Sequence, residues 1–159
     1  LRVRFEVRVA RFEEQAPEGR TTGKRRGTNA WTMLKIMNPD GDCVMQFEDL
    51  EVWKRAARLS TRIYQHFMNS RDYGFKDQIT RSSLSIASNI AEGYERVGEN
   101  DRIRFLNYAK GSCGELRTQI YIGMQIGYID RDSGKQWLED THELSRMLYG
   151  LMQHFRSRQ

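Results

Sequence analysis

From residue 50 onward, apolar side chains recur at helical steps. The cleanest stretch is Trp137, Thr141, Leu144, Leu148, Leu151 and Phe155, where steps of four and three alternate. That alternation is the seam of a helix packed in a bundle. Leu106, Ala109, Cys113, Leu116, Ile120 and Met124 form a second stripe, and Ile79, Ser83, Ile86, Ile90 and Tyr94 a third. The first stretch reads as Leu50, Trp53, Ala57, Tyr64 and Phe67, with Ala56 and Ile63 alongside. Each stripe is one buried helix face. The breaks lie at residues 69–74, 96–100 and 127–132, and Asp49 and Asp132 or Ser133 stand where N-caps belong. The pattern predicts a first helix from about residue 49, two more over 75–95 and 101–126, and a fourth to the chain end. Short loops force sequential helices antiparallel. The expected fold is all-α, an antiparallel up-down-up-down four-helix bundle over residues 45–159.

Residues 1–44 read differently. Both prolines, Pro17 and Pro39, lie there, and the bundle segment has none. Residues 1–12 alternate apolar and polar positions, a strand signal without a partner strand. Residues 13–30 are polar and rich in Gly, Arg and Thr, like a linker. The chain opens on Leu, and Met45 precedes the first helical pattern. This segment is expected to be disordered or a non-native extension, with a basic arm as the alternative.

The turn between the second and third helices predicts a register. If it centres near Gly98, facing residues have numbers summing to about 196. Arg81 then opposes Glu115, Glu92 opposes Arg104, Asn89 opposes Asn107, and Ser85 opposes Gly111. The expected role of this polar set is structural, fixing the register of two helices.

Charge changes the picture modestly. The chain carries a formal net charge of +5, which favours an acidic partner. Residues 1–44 hold nine Lys/Arg against six Asp/Glu, and residues 45–159 hold seventeen against fifteen. The bundle is nearly neutral, so a basic surface on it has to come from clustering. Two clusters stand out: Arg55, Arg58 and Arg62 along the first helix, and Arg96, Arg102 and Lys110 around the second turn. These six are the candidate phosphate contacts.

Other chemistry finds little footing. Glu139 and His142 form a Glu-x-x-His step, but no second copy completes a di-iron set. His66 and His154 lack ligand-spaced neighbours. Cys43 and Cys113 read as free thiols of a cytoplasmic protein. No phosphate-cradling glycine loop occurs, and no apolar run is long enough for a bilayer. No enzyme activity, metal, cofactor, membrane or small-molecule substrate is expected. Gly111, Gly114, Gly123 and Gly127 punctuate the third helix, as close helix approach requires. Apolar residues beyond the stripes, among them Val52, Leu59, Tyr64, Tyr121, Ile122, Ile126, Met147 and Tyr149, predict a second interface and a closed cyclic homo-oligomer.

One set of runs is more specific than periodicity. Phe47-Glu-Asp-Leu-Glu-Val-Trp53 opens it. Tyr73-Gly-Phe-Lys-Asp-Gln-Ile-Thr-Arg-Ser-Ser-Leu-Ser-Ile-Ala-Ser-Asn-Ile-Ala-Glu-Gly93 follows, then Arg96, Arg104-Phe-Leu, Ala109-Lys-Gly-Ser-Cys-Gly-Glu-Leu-Arg-Thr-Gln119 and Gly127-Tyr-Ile. The pattern resembles the bacterial four-helix bundle family encoded in intervening sequences of 23S ribosomal RNA genes, often filed under a small-subunit ribosomal protein name. The resemblance covers residues 46 to about 155. It implies a bundle assembled as a pentameric ring, RNA or DNA as partner, and no catalytic residues. The accessory protein of diversity-generating retroelements, which assists a reverse transcriptase, is similar in fold. The family usually carries two adjacent basic residues where this chain has Thr80-Arg81. A scaffold without nucleic-acid binding and a reverse-transcriptase accessory protein are the alternative functions.

Overall fold

The computed structural model describes residues 46–157. The expectations for residues 1–44 lie outside them. A short 3-10 turn, Phe47–Asp49, leads into four helices: α1 Glu51–His66, α2 Tyr73–Glu95, α3 Glu99–Gln125 and α4 Arg131–Arg156. Each helix packs on its neighbours in sequence, and α4 closes the ring against α1. The chain folds as the expected four-helix bundle, with no strand among the described residues.

The helix starts follow from caps. Asp72 accepts from the Phe75 amide at 3.0 Å and sets α2 two residues earlier than the pattern suggested. Asp130 accepts from the Asp132 and Ser133 amides at 3.1 and 2.9 Å, and α4 begins at Arg131. Hydrogen bonds from Ser133 and then Asp132 hold the Asp130 carboxyl below its ordinary range. Asp49, expected to cap α1, instead caps the turn before it by accepting from the Gln46 amide at 3.1 Å. Leu50 is the α1 N-cap and supplies no side-chain bond.

The core is made of the stripes on α2, α3 and α4. Ile79, Ile86 and Ile90 meet Leu106, Cys113, Leu116 and Ile120, with Trp137, Leu144 and Leu148 opposite. Helix α1 corrects the sequence reading by one residue of phase. Its buried residues are Val52, Ala56, Leu59, Ser60 and Ile63, followed by Phe67 just past its end. Trp53 is only partly buried, and its ring stacks edge-on against Phe47 at 5.1 Å. The 3-10 turn thus takes the aromatic, and the Val52 stripe enters the core. Val52 and Leu59 are core rather than interface, and Met147 packs partly buried against the core. Tyr64, Tyr121, Ile122, Ile126 and Tyr149 do remain exposed.

The α2–α3 pair approaches closely because Gly93 lacks a side chain. A Cβ there would lie 3.0 Å from that of Phe105 and 3.3 Å from the Arg102 carbonyl. Polar side chains set the register: Ser85 bonds Ser112 at 2.9 Å and Ser82 bonds Gln119 across the two helices, while Asn89 braces Ser85 from within α2 by donating to its carbonyl at 2.8 Å. Ser85 thus meets the residue next to the expected Gly111. The charged pairs do not form as expected. Arg81 pairs with Asp77 at 2.8 Å, Arg104 with Asp101 at 3.0 Å, and Glu92 with Arg96. Glu115 is exposed. A partner one turn away on the same helix is reachable at the surface without ordering a second helix.

Candidate nucleic-acid interface

The arginine row on α1 is neutralised where it stands. Arg55 bonds Glu51 at 3.1 Å and also pairs with Glu143 of α4. Arg58 reaches the same Glu51 oxygen at 2.9 Å, and Arg62 pairs with Asp140 of α4. Slight desolvation pushes the Glu51 carboxyl up, but hydrogen bonds from Arg55 and Arg58 outweigh it and hold the carboxyl low. Arg55 and Arg62 stitch α1 to α4 at the surface, and each arginine of the row already meets a carboxylate of the bundle.

The cluster at the α2–α3 turn is also engaged, but differently. Arg96 pairs with Glu92 and lies over the Phe105 ring at 4.8 Å. Arg102 donates from Nε to the Arg96 carbonyl at 2.6 Å and lies over Phe155 at 5.6 Å. These arginines close the end of the bundle: one meets a carboxylate, the other only a carbonyl and a ring.

A third basic group lies between α3 and α4. Lys110, Arg117, His142, Ser145, Arg146 and Tyr149 line an open concavity of about 370 Å³. Arg117 donates from Nη1 to the Ser145 hydroxyl at 3.0 Å, and Ser145 donates to the Thr141 carbonyl at 2.9 Å. The Lys110 ammonium sits 5.4 Å from the centre of the Tyr149 ring. Arg146 meets Glu139 at 3.4 Å with both side chains about two-thirds exposed, at 66% and 68%. Among the described residues, Lys110 and Arg117 make no ion pair. The groove therefore presents two cations, Lys110 and Arg117, that no carboxylate of the described residues cancels, beside the paired Arg146.

Below this groove lies Cys113, fully buried. Burial pushes its thiol up to about 11, against the opposing pull of the Ser145 hydrogen bond and the Arg117 charge. It is a neutral core side chain at ordinary pH. Among the described residues no three His, Cys, Asp or Glu side chains gather as metal ligands do, and no helix is long and apolar enough to cross a membrane.

Of the six predicted contacts, only Lys110 lines the groove. Arg117, His142, Arg146 and Tyr149 were missed. Their spacing held the signal: Lys110 and Arg117 are seven apart on α3, and His142, Arg146 and Tyr149 follow at four and three on α4. What the spacing lacked was the register of α3 against α4, which Arg117 and Ser145 supply.

The profile of the 23S rRNA-intervening sequence protein family matches residues 48–150. The chain belongs to that family. A solved structure is similar to this 23S rRNA-intervening sequence protein: a protein of unknown function from the S23 ribosomal protein family of Bacteroides thetaiotaomicron VPI-5482, with 25% identity and a TM-score of 0.60. The similarity covers 64% of this chain and 97% of the other. No curated protein matches the chain.

Proposed function

We propose that the protein is a non-enzymatic, cytoplasmic, homo-oligomeric nucleic-acid-binding protein whose partner is RNA. The observation that carries this reading is the α3–α4 groove, which Lys110 and Arg117 line with no carboxylate partner among the described residues. The binding face is then α3–α4 and not the α1 arginine row. The test is RNA binding by the full chain and by variants. Lys110→Glu with Arg117→Glu abolishes binding on this reading, and Arg55→Ala with Arg58→Ala leaves it within a few-fold. The reverse pattern assigns the RNA face to α1, and no binding by the parent chain removes the function.

An exposed apolar face supports the homo-oligomeric part of this reading. The outward side of α3 carries Tyr108, Ile122 and Ile126 exposed, and Gly111 has nothing within 4 Å of where a Cβ would stand. Such a face suits a second copy, and a cyclic assembly, a pentamer by family resemblance, multiplies one groove into a ring of positive charge. The same exposed face favours the second reading, a homo-oligomeric scaffold without RNA or an accessory to a reverse transcriptase. Light scattering combined with RNA titration separates them: a ring that ignores RNA is the scaffold.

A further inference from the structure

We infer that the α3–α4 groove selects single-stranded over duplex RNA, holding one nucleotide with its phosphate on Lys110, Arg117 and Arg146 and its base on Tyr149. This rests on the RNA-binding reading above and adds the form of RNA recognised.

Three observations carry it. First, cations and rings alternate. His142, Arg146 and Tyr149 follow one another along α4 at steps of four and three, so one helix face presents ring, guanidinium, ring within about 10 Å. A basic groove lined with aromatic side chains is the arrangement that binds unpaired strands, because every unpaired base offers a π-face. Second, the rings are available. Tyr149 is 52% exposed, and a ring in the open contributes stacking only where bases are unstacked from a helix. Third, the concavity of about 370 Å³ lies near the lower end of the usual small-ligand range of about 300–1,000 Å³. It is room of the order a single nucleotide needs, on a face open to solvent.

The resting contacts show how the site would exchange. Lys110 covers one part of the Tyr149 ring through a cation–π contact at 5.4 Å. A phosphate competes for that ammonium, and a base takes the ring in its place. The exposed Arg146–Glu139 pair at 3.4 Å is the weak kind that a phosphate displaces. Arg117, tied to Ser145 at 3.0 Å, is already aimed into the groove and needs no rearrangement.

The test uses the full chain with a labelled oligo-uridine strand, a labelled oligo-adenosine strand, and the duplex formed by annealing the two. The single strands are expected to bind at least about tenfold more tightly than the duplex, and Tyr149→Ala to weaken single-strand binding by about 5- to 100-fold while leaving the duplex unchanged. Tyr149→Phe retains single-strand binding, since the ring and not the hydroxyl does the stacking. Tyr149 lies outside the core, and an unchanged melting temperature of Tyr149→Ala separates lost stacking from lost fold. Equal or tighter duplex binding, or an unaffected Tyr149→Ala, overturns the single-strand inference while RNA binding stands. Failure of all three probes overturns both.

Discussion

Arg117 of α3 donates to the hydroxyl of Ser145 on α4 at 3.0 Å, and Ser145 in turn donates to the Thr141 carbonyl at 2.9 Å. One chain of hydrogen bonds thus orients a cation and fixes two helices across a groove. The guanidinium has five N–H donors in all, so one bond to a hydroxyl leaves others for a phosphate. Ser145→Ala should therefore keep the charge and loosen its aim. RNA affinity is expected to fall several-fold and less than in Arg117→Ala. An equal loss in both would mean that Ser145 itself contacts the ligand.

The buried thiol makes a pH prediction. The Cys113 thiol ionises near 9.0 when unfolded and near 11 in the bundle. A raised folded value means the stabilisation is intact below pH 9 and is lost as pH rises towards 11. The loss is roughly 3 kcal/mol across that window. Tyr128, whose phenol the Asp72 hydrogen bond and charge push up, acts in the same direction. Urea unfolding from pH 8 to 11 in the parent and in Cys113→Ala isolates the thiol. Parallel curves would show that Cys113 ionises freely in the folded chain.

Two glycines on one helix should respond oppositely. A Cβ at Gly123 would lie 2.6 Å from Ile129 Cδ1 and 3.0 Å from Phe75 Cζ, so Gly123→Ala overpacks the bundle end and costs about 1–3 kcal/mol. Gly111 meets nothing within 4 Å, and Gly111→Ala should gain up to about 1 kcal/mol through helix propensity in an isolated protomer. If α3 faces a second copy at that point, the gain disappears and the assembly weakens. Thermal melts and light scattering of the two variants read both effects.

The polar ladder, not the surface charges, should hold the α2–α3 register. Ser112→Ala removes the hydroxyl that Ser85 meets across the two helices and is expected to cost about 1–2 kcal/mol. Glu115→Ala, at an exposed position, should cost under about 1 kcal/mol. Chemical denaturation of both variants checks the order. A larger loss for Glu115→Ala would restore the interhelical ion pair.

The legible part of this molecule is its apolar periodicity. Ile79, Ile86 and Ile90, and Leu106, Cys113, Leu116 and Ile120, are buried as their spacing required. The α1 stripe slipped by one residue because Trp53 outweighs Val52 in a sequence pattern, whereas in three dimensions Phe47 offers the indole a partner outside the core. Charged side chains were the least legible. Arg55, Arg58 and Arg62 formed a clear row, but two carboxylates that pair with Arg55 and Arg62, Glu143 and Asp140, sit some eighty residues away on α4. Long flexible side chains at the surface take whichever opposite charge the tertiary fold brings near. A basic row read without its neighbours says little about net surface charge, and the groove emerged only once α3 and α4 were set side by side.

The most direct test of the central claim is the salt dependence of RNA binding. The logarithm of affinity should fall linearly with the logarithm of salt for the full chain, with a steep slope set by the phosphates neutralised. Arg117→Ala should reduce that slope by about 1, and Arg58→Ala should leave it unchanged because Glu51 already neutralises that side chain. A slope near zero, or one lowered by Arg58→Ala and not by Arg117→Ala, would contradict phosphate recognition by the α3–α4 groove.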